Sequence, residues 1–278
     1  MGQASGTPAN LQKQFRVSMH DLPTLDKIPI VHALLGKEGN GLALDIGIGT
    51  GYTTYSVFGE RQTVCVDIHA PTLIAYQQRI TAVTQSYRPL CVVARATALP
   101  FKPGIFHSVL CCDVLEHLEE DSGAVAEMAR VLSDNGRAVV TVPYTGMGFT
   151  NFLELCHIKT VHDVPGPERH IRPGYDETSL KRLLQRHGLR VECQAYYLRF
   201  FTRLAVDCVS LLHLIYERAV FRRRAWTWSD VMGAERTVGF KVYARVFPLL
   251  LAFAKLDRFL HGRRGFELAV AIRKIVAS

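Results

Sequence analysis

The stretch Leu44-Asp45-Ile46-Gly47-Ile48-Gly49-Thr50-Gly51 decides the fold. Its first three residues close an apolar run from Leu42 that reads as a buried strand, and glycines at 47, 49 and 51 follow at once. Glycine lets a backbone turn tightly and lets a ligand lie against it. A G-x-G-x-G turn alone also fits any ordinary strand-to-helix connection. The next strand, Thr63–Ile68, adds an acidic residue near its end, Asp67, 16 residues beyond Gly51. A carboxylate there accepts both hydroxyls of a ribose, as in dinucleotide folds. Turn and acid together point to a bound nucleoside.

Outward from this stretch, short apolar runs alternate with helical patterns from about residue 42 to 144, which predicts a parallel sheet with crossover helices. Leu90–Ala94, Ser108–Cys112 and Ala138–Val142 read as further strands, the last introduced by an Asp134-Asn135-Gly136 turn. Helices are predicted at 22–35, 71–85 and 122–132, then at 177–187, where Gly188 ends the helix. Arg190–Tyr197 and Phe266–Ile272 complete the strands, with two long apolar and basic helices, about 201–225 and 239–261, between them. The chain divides into 1–198, a nucleoside-binding core with an N-terminal helix and a long loop, and 199–278, a basic helical cap with the last strand. At 48% hydrophobic and 21% charged residues the composition is that of a globular protein, and disorder is expected only in the first dozen residues.

Two features favour S-adenosylmethionine (SAM) over NAD. Asp45 places a carboxylate at the strand end, where it can meet a cationic amino group. NAD needs its pyrophosphate held by a G-x-G-x-x-G turn at a helix N-terminus, and Tyr52-Thr53-Thr54 supplies no third glycine there.

With these motifs in place the chain resembles the class I SAM-dependent methyltransferases, in the branch that includes ubiquinone- and menaquinone-biosynthesis enzymes. The matching segments are LDIGIGTG (44–51), VDI (66–68), ALPF (98–101), DVLEHL (113–118) and MARVLSDNGRAVVTVPY (128–144). The resemblance implies an α/β, Rossmann-like seven-stranded sheet in the order 3-2-1-4-5-7-6, its seventh strand antiparallel, with a helical insertion between strands six and seven. It also implies a SAM site: Asp45, Gly47, Ile48, Gly49 and Gly51 at the methionine moiety, Asp67 on the ribose and Ile68 beside the adenine. Ala96, Thr97, Ala98 and Leu99 would flank the adenine, and Cys112 would face the sulfonium. Two positions depart from the family's pattern. Arg95 stands where an acidic residue is usual, and His107 follows Phe106 in place of Asp.

The candidate proton acceptors are His117, just past strand four, and His170, in the segment Arg169–Tyr175, which resembles the family's loop over the acceptor. His117 reads more readily as a loop residue packed near the cofactor than as a base. The histidines and acids of 157–175 (His157, His162, Asp163, Glu168, His170) match no standard zinc spacing, so no metal is expected from them. The seven scattered cysteines form no CxxC pair and read as reduced thiols.

Charge is uneven along the chain. Residues 199–278 hold 15 Lys and Arg against 6 Asp and Glu, whereas 1–198 hold 18 against 19. Such asymmetry suggests an anionic partner for the C-terminal end. Its basic residues, Arg222-Arg223-Arg224 among them, sit beside aliphatic ones and Trp226 and Trp228, which fits an anionic membrane surface met by 201–262. A helical cap with solvated basic ends is the simpler alternative. Charges interrupt both helices before the roughly 20 apolar residues needed to span a bilayer. A nucleic-acid methyltransferase fits less well, because no Asn/Asp-Pro-Pro-Tyr/Phe motif follows strand four. A non-catalytic SAM-binding regulator would not need the full Asp45, glycine and Asp67 set. The chain opens without an apolar signal segment. The expectation is therefore a SAM-dependent methyltransferase of the cytoplasm, or of the inner face of a membrane, acting on a small or lipid-like acceptor.

Overall fold

Strand β1 (Ala43–Ile46) is buried along its whole length and lies between β2 (Thr63–Asp67) and β4 (Phe106–Cys112), parallel to both. Beyond β2 comes β3 (Leu90–Val93), and beyond β4 comes β5 (Leu132–Pro143), again parallel. Then β7 (Glu267–Lys274) runs antiparallel between β5 and β6 (Leu189–Tyr197), giving the order β3-β2-β1-β4-β5-β7-β6. This is the order the resemblance implied. The structure is a computed structural model and describes residues 8–36, 41–156, 158, 169–220, 238–260 and 264–275.

The central strands read as unbroken apolar runs because both sheet faces are covered. Along β4, Val109 and Cys111 enter one core with β1 residues Leu44 and Ile46, while Leu110 points into the other with Ala43 and Val139. Helices α5 (Asp121–Val131) and α7 (Glu177–Arg186) cover the first face, through Val125, Met128, Leu180 and Leu184. Helix α2 (Leu22–Leu35) and α3 (Tyr52–Phe58) cover the second, through Val31, Leu34, Leu35 and Phe58. Helix α4 (Ala70–Val83) joins α3 in a third cluster, which Phe15 closes.

Three expectations need correction. The first dozen residues are not all irregular, since Pro8–Gln14 form a helix, α1, and Phe15 just after it is buried against Tyr52 and Tyr55. Asp134-Asn135-Gly136 is no turn before β5 but a bulge inside it, where the pairing with β4 slips from Phe106↔Leu132 to Ser108↔Arg137. Gly136 fits there because a Cβ would stand 2.7 Å from Leu132 and 3.0 Å from the Phe106 carbonyl. The second cap helix, Val238–Ala254, tightens into a 3-10 helix over Lys255–Leu260 instead of continuing as an α-helix.

A short helix α6 (Phe152–Leu155) follows β5, and α8 (Phe200–Val220) with α9 (Val238–Ala254) form the insertion between β6 and β7. Leu22, Ala205, Phe247 and Ala254 hold this cap to α2. Arg222, Arg223, Arg224, Trp226, Trp228 and Arg263 lie outside the described residues, as do His157, His162, Asp163 and Glu168.

Candidate active site

All parallel strands end on one edge of the sheet, and β7 begins there, so chain segments far apart in sequence meet on that edge. The glycine turn lies over the end of β1. Gly47 backs onto a Val114 methyl and Gly51, which caps α3, onto the Tyr76 ring, and a Cβ on either would stand only 2.4 or 2.0 Å away. Gly49 differs. Its φ is +52°, and a Cβ there would meet nothing within 4 Å. The turn is therefore packed from behind and open in front, as a backbone cradle for a ligand must be.

Around this cradle the sequence-derived residues separate by role. Asp67 ends β2 half-buried, its Oδ1 accepting from the His69 N–H at 2.9 Å, and Ile68 beside it is 54% exposed. Ala96 and Thr97 lie in a turn closed by the Ala98 N–H donating to the Arg95 carbonyl at 3.0 Å, and Arg95 itself points into solvent. Two residues prove to be framework. The Ile48 side chain sits in the core with Tyr76 and Leu73, so only its backbone can meet a ligand. The Leu99 side chain is also buried, its N–H donates to Glu127 at 2.7 Å and its carbonyl accepts from Arg130 at 2.9 Å. Leu99 thus fixes the adenine-side turn from behind.

Burial raises the Asp45 carboxyl to about 7, partly offset by the Thr54 hydroxyl that donates to it and by Lys27 nearby, while Asp67 pushes it up further. Burial likewise lifts the Cys112 thiol to about 12, so it is a neutral group at the end of β4. Asp113, next in sequence, has φ +55°, rare for a residue with a side chain and a common mark of functional sites. Its Oδ2 takes the Lys27 ammonium at 2.6 Å, and its Oδ1 takes the Thr141 hydroxyl at 2.6 Å and the Tyr197 hydroxyl at 3.3 Å. Burial alone would raise this carboxyl, but Lys27 and the two hydroxyls hold it below the usual range. Lys27 was not anticipated. The one available signal was an Asp26-Lys27 pair inside an otherwise apolar helix, where buried charges need partners. Asp26 finds its own in the Leu198 N–H, 2.7 Å away.

His117 and His170, 53 residues apart, are brought together with their ring centroids 4.8 Å apart. The segment 169–175 lies back on the 3-10 turn Leu115–His117: the Ile171 N–H donates to the Glu116 carbonyl at 2.9 Å, and Arg172 pairs with Asp121. Tyr175 adds a hydroxyl bond to Asp121 at 2.7 Å. On the far side of Cys112 a chain of phenylalanines begins at Phe266 and passes through Phe149 and Phe152 to Phe200, Phe201 and Phe253, with ring centroids 5.1–5.9 Å apart.

Residues 44–140 match the model of the methyltransferase domain family. That segment is a methyltransferase domain, and the sheet around it has the strand order expected of class I SAM-dependent methyltransferases. No curated protein matches it in sequence. Solved structures share its fold at low identity. A geranyl diphosphate methyltransferase in complex with SAM is 14% identical, with 98% of this chain and 96% of that one covered and a TM-score of 0.55. A Bacillus halodurans C-125 methyltransferase is 15% identical, with 90% and 99% covered and a TM-score of 0.56. The [4+2]-cyclase SpnF is 17% identical, with 92% and 83% covered and a TM-score of 0.55. The cyclase shows that this fold by itself does not fix the reaction. The methyltransferase cofactor is SAM, and the open Gly49 after β1, with a half-buried Asp67 ending the neighbouring strand, fits it.

Proposed function

We propose that this methyltransferase transfers the SAM methyl group to a small, lipid-like or lipid-linked acceptor. The phenylalanine chain carries the reading. It runs from Phe266, 2% exposed beside the end of β5, to Phe200 at 48%, an apolar path from the interior of the edge to the surface. A geranyl diphosphate methyltransferase solved with its prenyl substrate and sinefungin shares the fold at 14% identity and a TM-score of 0.53, which is in keeping with such an acceptor.

When bound, SAM supplies an electrophilic methyl group on a sulfonium. The glycine turn would seat its methionine end, Asp67 would accept the ribose hydroxyls, and Ile68 with the turn at Ala96–Ala98 would enclose the adenine. Cys112 would stand at the sulfonium as a neutral group, and the Lys27–Asp113 pair would hold the end of β4 in its left-handed conformation. Positive charge disappears in the displacement, so these residues act chiefly by aligning the reactants, which lowers such barriers by about 7–11 kcal/mol. A hydroxyl acceptor also has to lose a proton, and His117 and His170 stand at this edge to receive it. To test the acceptor class, methyl-labelled SAM is incubated with the enzyme and separate pools of lipid extract, aqueous metabolites and nucleic acid. Label should enter the organic phase. Label entering only the aqueous or nucleic-acid pool contradicts the proposal.

Asp45 gives the cofactor site a pH signature. Its carboxyl, at about 7 without ligand, should ionise when the cationic amino group of SAM arrives, releasing about half a proton at pH 7. SAM affinity should therefore rise between pH 6 and 8. Because the folded value is raised, the contribution of this group to unliganded stability runs the other way: it is complete below about 4 and is lost as pH rises through about 7. Calorimetry in buffers of different ionisation heat measures the proton release. An Asp45→Asn variant that keeps it would assign the proton to another group.

The cap supports a further part of the reading, a place on an anionic membrane surface. No described helix is long and apolar enough to cross a membrane. Yet α8 and α9 expose Leu212, Ile215, Val242, Val246 and Leu249, with Phe259 beyond them. Such a face lying on lipid would be helped by about 1 kcal/mol for each nearby Lys or Arg. The enzyme should co-sediment with anionic liposomes at low salt and release as salt screens the charges. Leu249→Glu, or Gln at Arg222, Arg223 and Arg224 together, should weaken this without changing SAM affinity. No co-sedimentation with anionic liposomes at low salt would leave the cap as a cover for the sheet.

A further inference from the structure

Glu116 is the most deeply enclosed acid at the carboxyl edge, with 1% of its surface exposed, and its Oε2 has no hydrogen-bond partner. An oxygen in that condition has lost its water without gaining a donor, which proteins rarely tolerate unless something else occupies the place. Two imidazoles stand near this carboxylate. One ligand atom from each of Glu116, His117 and His170 lies within 4.8 Å of the other two. We infer that Glu116, His117 and His170 form a binding site for a divalent transition-metal ion.

The donor set supports this. Two histidines and one carboxylate form a tripod used for zinc and for non-haem iron, with bonds of about 2.0–2.2 Å and further positions left open. Donors on one ion at such bond lengths stand about 3 Å apart, so atoms now within 4.8 Å of one another need to close by less than about 2 Å. His117 is already oriented as ligands usually are. Its Nδ1 lies 2.9 Å from the Arg169 carbonyl, and donation there leaves the Nε2 lone pair for a metal.

The site is also held from both sides without help from an ion. Glu116 and His117 sit on a 3-10 turn, and His170 is on the segment tied to that turn by the Ile171 and Arg172 N–H groups on the Glu116 carbonyl. The Arg172 guanidinium fastens the same segment to Asp121 and to the carbonyls of Leu118 and Glu119. A metal here would occupy the free lone pairs of His117 and His170 and take over their part with a hydroxyl acceptor, offering open positions for the acceptor oxygen and easing loss of its proton to water. Metal binding itself does not depend on which acceptor the enzyme uses.

Zinc alone is the probe, titrated into the full-length, chelator-stripped protein against a chromophoric chelator. One ion should bind per chain with a Kd below about 1 µM. His117→Ala and His170→Ala, both only half-buried in the native chain, should each weaken it by about 100-fold or more, and zinc should raise the Tm of the native protein but not of these variants. Exposed Cys156, Cys193 and Cys208 are the competing ligands. Cobalt in place of zinc distinguishes them on the unaltered protein, because thiolate ligation adds an intense sulfur-to-metal charge-transfer band. Weak visible bands without it support the site. Binding weaker than about 10 µM, binding unchanged in both histidine variants, or a thiolate band would overturn it.

Discussion

Gly49→Val and Asp67→Ala should each weaken SAM binding by about 100-fold or more while the protein stays folded. At Gly49 a new Cβ meets no protein atom within 4 Å, so collision with the chain is not the difficulty. The backbone there, at φ +52°, is one a β-branched side chain rarely adopts, a strain of about 1–3 kcal/mol, and the valine would project into the space left for the ligand. Asp67→Ala removes an ionised acceptor from two ribose hydroxyls, each such bond contributing about 1.5–3 kcal/mol. It also frees the His69 N–H, so Asp67→Asn serves as the isosteric control. Calorimetric titration with circular dichroism on the same samples separates lost binding from lost fold. Unchanged SAM affinity in both variants would place the cofactor elsewhere.

Lys27→Met should cost about 2–3 kcal/mol of stability, a fall in Tm of roughly 5–10 °C for a chain of this size. Removing one member of a fully buried ion pair costs about 3–5 kcal/mol. The smaller figure is expected here because the Asp113 side chain is 36% exposed and keeps the Thr141 and Tyr197 hydroxyls, whereas that of Lys27 is 11% exposed. The Asp113 carboxyl is held below its ordinary value. Its contribution is therefore present above about pH 4 and lost as pH falls through the lowered folded value. The deficit of Lys27→Met should accordingly shrink in acid. Adding Asp113→Asn should cost less than the sum of the two single changes, since neither partner then faces an unpaired charge. A Lys27→Met protein melting within 1 °C of the native one would show that the pair supports nothing.

Features carried by a few consecutive residues were readable in the sequence. Strand-turn-helix chemistry at Leu44–Gly51, an acid at the end of the next strand and the apolar runs of the central strands all declare themselves locally. Their sheet order followed from resemblance and agrees with the structure. What escaped was made by contacts across the chain. Lys27 reaches Asp113 over 86 residues, and Glu116 meets His170 because the Ile171 and Arg172 N–H groups tie a distant segment to its carbonyl. His117 and His170 were singled out separately, and no spacing rule joins them. Ile48 and Leu99 fell into the cofactor motifs by position, but a motif fixes the path of the backbone and leaves open which side chains face inward. Pro8–Gln14 read as disorder because the composition was polar, while one buried ring, Phe15, anchors the segment.

The most direct test is a crystal structure of this methyltransferase with S-adenosylhomocysteine bound. The ribose hydroxyls should lie about 2.6–3.0 Å from the Asp67 carboxylate. The methionine end should rest on the open face of Gly49, and the sulfur should point past Cys112 toward Phe149, Phe152 and Phe266. A nucleoside bound away from Asp67, or a sulfur turned away from the phenylalanine chain, would contradict the account.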